Sequence, residues 1–461
     1  MEGQDRHLRQ DVMDATTACK SPGTVSRPVR LRPVQLAWLA AAVFIVSAGY
    51  GALLPLLPGW LTQINPDTTA TAVARHIGFL SGVYTAGVLV GAPLWGVIAD
   101  RVGHGRVLIL GLVGYVASLL LVLVPGFDGL WAIYALRGTT GFFVAAVVPV
   151  VSALVAVHTP EGQRARRFAW LGAMSLLGFL FGPALIVVAD WVGSWVSQGA
   201  VSSALSARLV IGLSALLGAV MMLGLARTLP VLRAADAPAP TNPARSADAH
   251  IASLLWLSGT VMFVLAGFEL GIVMQGQQHA DVSTRLVAMM FAECSLVMLG
   301  VNALLFFTSL LEKASARTLV GIGLILATVG LAMLARHRSN DSMYWGISLA
   351  SAGTGLVLPV IAYLAAACSP KKLGATMGGL AASAGLGQTL GSAVGGWLFG
   401  AFAQRSFGWL TLPLVVTLLF LLARPRWLSA TSGGSRVPAS GRQPIGSIPG
   451  RSNSGARTTE R

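Results

Sequence analysis

Three charged residues lie inside long apolar stretches of the sequence. Arg137 stands in RGTTG, Glu269 in GFELG and Glu293 in FAECS. A charge within an apolar helix is costly unless it faces protein or water, so such residues often mark functional sites. A carboxyl group removed from water can hold a proton near neutral pH. The three residues therefore predict proton coupling, and the alternative is an arginine that reaches the interface and glutamates that edge a vestibule.

The stretches that hold these charges belong to a strongly apolar chain of 461 residues. Only 11% of the residues are charged, against about 25% in soluble domains, and the mean hydropathy is +0.72. This composition excludes a soluble enzyme, a disordered protein and a coiled coil, and the lack of period-two alternation excludes a β-barrel. The sequence predicts an all-α membrane protein with twelve transmembrane helices. They lie near 36–58, 76–99, 106–124, 130–157, 168–190, 208–229, 251–274, 285–310, 318–335, 343–367, 375–401 and 407–424.

The distribution of Lys and Arg sets the orientation. With both termini in the cytoplasm, the inner loops between helices hold twelve of these bases and the outer loops hold six. Bases accumulate on the cytoplasmic side, so this orientation in the cell inner membrane is preferred. We expect a disordered N-tail (1–33), two six-helix halves (34–229 and 251–424), a flexible cytoplasmic linker (230–250) and a disordered C-tail (425–461).

Proline and glycine landmarks indicate an internal repeat. Pro149 and Pro160 recur as Pro359 and Pro370, 210 residues later. The Gly178, Gly182, Pro183 group recurs as Gly387, Gly391, Ser392 at an offset of 209, and Asp100-Arg101 recurs as Glu312-Lys313 at 212. Duplication predicts two pseudo-symmetric halves that rock about a central cavity, although Pro and Gly are common in membrane helices anyway.

The loop after the second predicted helix carries a compact motif, GVIADRVGHGR. Asp100 stands there with Arg101, Gly103 and Arg106. An aspartate beside bases at a short turn can form a charge-assisted network, and the alternative is a simple turn with topology-setting charges. The motif resembles the loop signature of the major facilitator superfamily, which implies that these four residues latch the cytoplasmic side. His104 and Gly105 depart from the two bases that the family pattern has there.

Two further motifs support the same resemblance. Arg137 followed by Gly141 is similar to a signature of proton-coupled members, and Gly178, Gly182 and Pro183 resemble the core of a signature seen mainly in antiporters and exporters. The first helix, GYGALLPLLPGWL, resembles that of tetracycline-type and other multidrug exporters, but it lacks the acid that many drug–proton antiporters carry there. The small residues of the fifth and eleventh helices imply pivots at Gly178, Gly182, Pro183, Gly387, Gly391 and Gly395.

These observations together predict a proton-coupled exporter of a small molecule, such as a drug, a toxic metabolite or a siderophore-like compound. An importer or facilitator of a polar nutrient and a non-transporting receptor on the same scaffold remain alternatives. We expect no enzymatic activity, no cofactor, no metal site and no nucleic acid partner, since no phosphate loop, nucleophile motif or metal-ligand spacing occurs. A monomer in the bilayer is expected. The candidate cavity residues are Tyr50, Phe142, Phe143, Phe268, Gln275, Tyr344 and Tyr363.

Overall fold

The structure is a computed structural model that describes most of the chain between residues 31 and 424. The described ranges are 31–67, 69–127, 129–159, 161–197, 201–228, 249–279, 282–308, residue 310, 314–337, 339–368 and 373–424. Both predicted tails, apart from residues 31–33 at the start, and the predicted linker, apart from its last two residues, lie outside these ranges.

The described residues form an all-α bundle, as predicted. Its helices are α1a (Pro33–Leu53), α1b (Leu57–Ile64), α2 (Ala70–Val102), α3 (His104–Val122), α4a (Leu130–Val144), α4b (Val148–Val157), α5 (Glu161–Ser197), α6 (Ser203–Thr228), α7 (Ala249–Gln278), α8 (Thr284–Phe307), α9 (Ala316–Leu334), α10 (Asn340–Cys368), α11 (Leu373–Phe402) and α12 (Ser406–Ala423).

Eleven segments of the described chain are long and apolar enough to cross a membrane. The longest of them, Gly379–Ala423, contains most of α11 and all of α12, which are separated by a short 3₁₀ turn at Ala403–Arg405. Counted as separate helices, these two bring the number of hydrophobic crossings to twelve. Gln35 at the start of α1a donates a hydrogen bond to the carbonyl of Thr228 at the end of α6, at 2.8 Å. The bundle end that holds both residues is called the linker end below.

Local sequence explains where several helices begin. The side chains of Thr69, Ser283 and Ser315 precede α2, α8 and α9 and accept hydrogen bonds from backbone N–H groups three residues later, at 3.1–3.3 Å. Such caps satisfy amide groups that have no partner in the first helical turn. At the junction of α2 and α3 the chain reverses at Gly103, whose φ of 104° is a conformation that side chains rarely allow.

The helices pack in pairs that repeat between the two halves. In the first half α1 packs on α5 and α6, α2 on α4, and α3 on α6; in the second half α7 packs on α11 and α12, α8 on α10, and α9 on α12. Each pair in the second half is the first-half pair shifted by six helices. The matching contacts have the arrangement expected of a duplicated six-helix unit.

Among the described residues, the most extensive contacts between the halves are those of α2 with α11 and of α5 with α8. These pairs exchange when the halves are exchanged, as a two-fold axis along the membrane normal requires. Near the end opposite the linker, a Cβ atom placed on Gly396 would lie 2.6 Å from the Cα atom of Gly78. Glycine at both positions therefore allows the two backbones to touch.

Candidate functional site

Arg137 is buried in the first half, although arginine always carries charge. Its side chain is only 6% exposed and lies in α4a. The guanidinium carbon is 4.5 Å from the ring centre of Tyr84 on α2 and 5.8 Å from that of Tyr50 on α1a. The two tyrosine rings are stacked on each other, 5.0 Å apart. Cation–π contacts thus hold the charge in place without neutralising it.

Two guanidinium nitrogens of Arg137, Nε and Nη2, are buried and have no hydrogen-bond partner. Within the described part of the chain, no carboxylate forms an ion pair with Arg137. The side chain borders a small cavity between α1, α2, α3, α4a and α6. Its lining consists of Val46, Gly49, Tyr50, Leu53, Tyr84, Tyr115, Leu119, Arg137, Thr140, Val210, Ile211 and Ser214. A buried cation that lacks partners is expensive, and the predicted functional role of Arg137 stays a prediction.

Glu269 lies on α7 in the second half and faces the first half. It is half-buried, and among the described residues it forms no hydrogen bond or ion pair. Its charge interacts with Tyr50 of the first half and with Cys294 of α8. The electrostatic influence of Glu269 therefore reaches Tyr50, which also contacts Tyr84 and Arg137.

Glu293 lies on α8 and has a different environment. The hydroxyl of Ser348 on α10 donates a hydrogen bond to its Oε1 atom, whereas Oε2 is buried without a partner. Its charge also interacts with Cys294 and with Tyr344. The charges of both glutamates, which lie on consecutive helices, thus act on the buried Cys294. Their roles in coupling stay predictions.

The residues of the predicted cytoplasmic latch lie at the α2–α3 junction, at the linker end. Arg101 and Arg106 are exposed there, on either side of Gly103. The backbone of Asp100 lies in the last turn of α2, but its side chain lies outside the described residues. The turn that the motif requires is present, and the latch itself stays a prediction.

The predicted pivot residues make close helix–helix contacts within each half. Gly178 lies against the carbonyl of Phe44 on α1a, and Gly182 lies against the α1a backbone at Gly51. In the second half Gly387, Gly391 and Gly395 lie against Gly259, Phe263 and Gly267 of α7 in the same way. Pro183 lies inside α5 and leaves it continuous. These contacts explain the small residues by packing, and a pivoting role stays a prediction.

The predicted cavity residues lie in several environments. Tyr50 lines the cavity beside Arg137. Phe142 and Phe143 pack with Trp95 inside the first half, and Phe268 and Gln275 are each 1% exposed. Tyr344 is partly buried near Glu293, and Tyr363 is 46% exposed. The structure therefore brings only Tyr50 of this set next to Arg137.

Sequence reasoning missed several residues near Arg137 and near the two glutamates: Tyr84, Tyr115, Ser214, Cys294 and Ser348. The chain contains only six tyrosines, and three of them line the Arg137 cavity. Because tyrosine is rare in this chain, the positions of the tyrosines were the one sequence feature that could have indicated this cavity. No cluster of three or more metal-binding side chains occurs among the described residues.

A family model described as the Major Facilitator Superfamily matches residues 39–305 and 294–448. Among curated proteins, the chain is 33% identical over 146 residues to the class B tetracycline resistance protein of Escherichia coli. That alignment covers 32% of this chain and only 35% of the relative. The class D tetracycline resistance protein of Salmonella ordonez is 25% identical over 412 residues, which cover 85% of this chain and 98% of the relative.

Among solved structures, the human organic anion transporter MFSD10 (TETRAN) is similar with a TM-score of 0.65 and 19% identity. The match covers 85% of this chain and all of the other. At this identity the likeness concerns the fold alone.

Proposed function

Since the chain belongs to the major facilitator superfamily, we propose that it is a secondary active transporter that exports a small molecule in exchange for protons. The two halves, 34–229 and 251–424, expose a shared cavity to each side of the inner membrane in turn, and both termini are cytoplasmic. The class D relative, whose printed name concerns tetracycline resistance, supports drug-like compounds as substrates because its alignment covers nearly its whole length.

The position of Glu269 carries the proposal. It is a carboxyl group on α7 that has no hydrogen-bond partner among the described residues, and its charge acts on Tyr50 of the other half. A group without hydrogen-bond partners can exchange a proton without breaking a local network. Because it faces across the halves, its charge state affects their attraction directly.

Arg137 supplies the other charge. When Glu269 is ionised, its negative charge lies in the half opposite the positive charge of Arg137, and unlike charges attract each other in a medium of low dielectric. When Glu269 is protonated, that attraction disappears. A proton therefore biases the equilibrium between two arrangements of the halves, which is the requirement for coupling.

Glu293 is the second carboxyl group whose protonation could be coupled to transport. Its hydrogen bond from Ser348 joins α8 to α10, two helices of the same half. A proton on Glu293 therefore acts mainly within the second half. We assign the first coupling role to Glu269 for this reason, with Glu293 in a supporting role.

At the linker end, Asp100, Arg101, Gly103 and Arg106 form the latch of the outward-facing state in this proposal. The glycine contacts between α1 and α5, and between α7 and α11, keep each half rigid while it moves. In this proposal the substrate binds between the halves, and Tyr50 of the first half is the candidate contact on that side.

Transport into inverted membrane vesicles tests the proposal. Tetracycline and any compound to which a deletion strain becomes sensitive serve as probes, and an imposed proton gradient is the driving force. We expect gradient-dependent uptake that Glu269→Gln reduces at least tenfold, because the amide cannot exchange a proton. Glu293→Gln is the matched control on the neighbouring helix and should keep more of the uptake.

Absence of gradient-dependent uptake of every such compound contradicts export. Accumulation of a labelled sugar or organic acid in intact cells would instead favour the importer. A phenotype that survives both Asp100→Ala and Arg137→Ala would favour a receptor. Full uptake in Glu269→Gln together with a loss in Glu293→Gln would move the coupling site to α8.

A further inference from the structure

The cavity beside Arg137 presents hydrogen-bond donors and no acid. Arg137 Nε and Nη2 and the hydroxyl of Ser214 are buried and lack partners. Tyr115 adds a hydroxyl group at the same place, and no aspartate or glutamate is among the lining residues. The rest of the lining is apolar or aromatic apart from Thr140, whose hydroxyl donates a hydrogen bond to the carbonyl of Leu136.

Gly49 of α1a keeps the donor side of this cavity open. A Cβ atom at that position would lie 2.8 Å from Tyr115 Oη and 3.3 Å from Ser214 Oγ. The two hydroxyl groups therefore face one spot that only a glycine leaves free. A methyl group there would occupy the space without removing any donor.

We propose that this cavity is a binding site for a compact, singly charged anionic group: a free halide ion or the carboxylate or phenolate of a small organic compound. Such a group accepts bonds from Arg137 and Ser214 and compensates the buried positive charge. Water could satisfy the donors but would leave the charge uncompensated. The apolar walls strengthen the attraction and disfavour large, strongly hydrated anions.

Comparison with the second half indicates that the buried donors beside Arg137 are not a general packing feature of the fold. Ile347 occupies the position 210 residues after Arg137, and it is completely buried. The donor cluster is therefore a property of the first half alone. The site concerns equilibrium binding to the resting protein and does not depend on proton-coupled export.

Thermal unfolding of the purified full-length protein in detergent tests the site. Sodium chloride replaces sodium gluconate, a large hydrated anion, at constant ionic strength; a second series uses sodium benzoate. A ligand that binds only the folded protein raises its unfolding temperature in a saturable way. We expect a rise of about 2 °C or more with at least one of the two probes.

Gly49→Ala and Ser214→Ala should each abolish that rise. Gly59→Ala is the matched control, because its new methyl group meets the Ser203 hydroxyl at 2.8 Å on the same membrane span but outside the cavity. It should retain the full rise. Ser214→Ala keeps the test valid if the Gly49 variant does not fold.

The two series distinguish the source of the anionic group. A rise with chloride alone identifies a free inorganic ion, whereas a rise with benzoate alone identifies an acid group on an organic compound, and both support the site. The proposal is overturned if neither probe raises the unfolding temperature, or if the rise persists in both variants. Because no transport is measured, that failure leaves the export proposal unaffected.

Discussion

At the scale of single residues, His337 shows how burial tunes a charge outside the membrane spans. It lies in the turn after α9 and is 8% exposed. Its Nδ1 atom is 2.7 Å from the carbonyl of Leu334, and its ring is 5.2 Å from that of His279. Burial lowers the pKa of His337; the bond to Leu334 raises it in part, and the neighbouring His279 lowers it further.

A lowered pKa makes protonation favour the unfolded chain. The contribution of His337 to stability is therefore complete above the ordinary histidine pKa of about 6.5 and is lost as the pH falls below it. We expect the unfolding temperature of the wild type to fall more between pH 7.5 and pH 5 than that of His337→Gln. His158→Gln is the control, because His158 makes a similar bond to Leu154 at 2.9 Å. Equal pH dependence in the wild type and His337→Gln would refute the prediction.

At the scale of helices, the break in α4 depends on a tertiary hydrogen bond. Between Val144 and Val148 the amides of Ala146 and Val147 bond three residues back instead of four. The carbonyl of Phe142 thereby loses its helical donor, and the indole Nε1 of Trp95 on α2 donates to it at 2.8 Å. The indole of Trp95 thus satisfies the carbonyl group that the break in α4 leaves without a partner.

Trp95→Phe keeps the aromatic packing but removes this donor. The buried carbonyl of Phe142 then has no partner, which costs about 1–3 kcal/mol. We expect a lower unfolding temperature in detergent than for the wild type. Trp397→Phe is the control, since Trp397 is half exposed and donates no hydrogen bond among the described contacts. An equal effect of the two substitutions would show that lost ring area, not the hydrogen bond, causes the change.

A comparison of α4 with other helices shows which parts of the fold the sequence could predict. Hydropathy placed α3 at 106–124 and α8 at 285–310, close to His104–Val122 and Thr284–Phe307, because a span must cross a fixed apolar thickness. The break in α4 was not predictable, since Pro149 and Pro359 occupy matching positions and α10 continues through Pro359. The broken helix α4 differs from the continuous helix α10 in having the indole of Trp95 beside it as a hydrogen-bond donor.

Some residues of the candidate site could likewise be predicted from the sequence, and others could not. Arg137 and the two glutamates could be found because a charge in an apolar run is rare. Tyr115 and Ser214 could not, because an isolated hydroxyl in a membrane helix is ordinary. Their convergence on Gly49 depends on how α1, α3 and α6 pack, which no single segment of the sequence encodes.

At the scale of the whole molecule, the two halves share a pattern of helix packing but differ in charge. The buried charge of the first half is Arg137, and the second half has Ile347 at the matching position and carries Glu269 and Glu293 instead. The common packing is the arrangement expected of a duplicated unit, whereas the unlike charges are the basis of the proton switch that we propose. Symmetry of fold and asymmetry of charge together suit a molecule whose halves move against each other.

In the proposed mechanism, the halves separate at the contact between Gly78 and Gly396 near the end opposite the linker. In Gly396→Ala, the new methyl group would lie 2.6 Å from the Gly78 Cα atom and 2.9 Å from the Ala74 carbonyl, both of which are backbone atoms that cannot turn aside. The closed arrangement is therefore strained, and about 1.4 kcal/mol of strain shifts the population tenfold toward the arrangement that is open at this end. Gly408→Ala adds the same methyl group where the nearest atom is 3.6 Å away, so it should leave the equilibrium unchanged.

Distances between spin labels on cysteines introduced at Asp67 and Arg405, in a variant that lacks the native cysteines, measure this equilibrium. These two exposed positions lie in opposite halves beyond the contact. Gly396→Ala should increase the fraction of long distances, and the Gly408 control should match the unsubstituted labelled protein. An unchanged distribution in a folded Gly396→Ala protein would mean that α2 and α11 adjust within a closed pair, and that the halves do not separate at this contact.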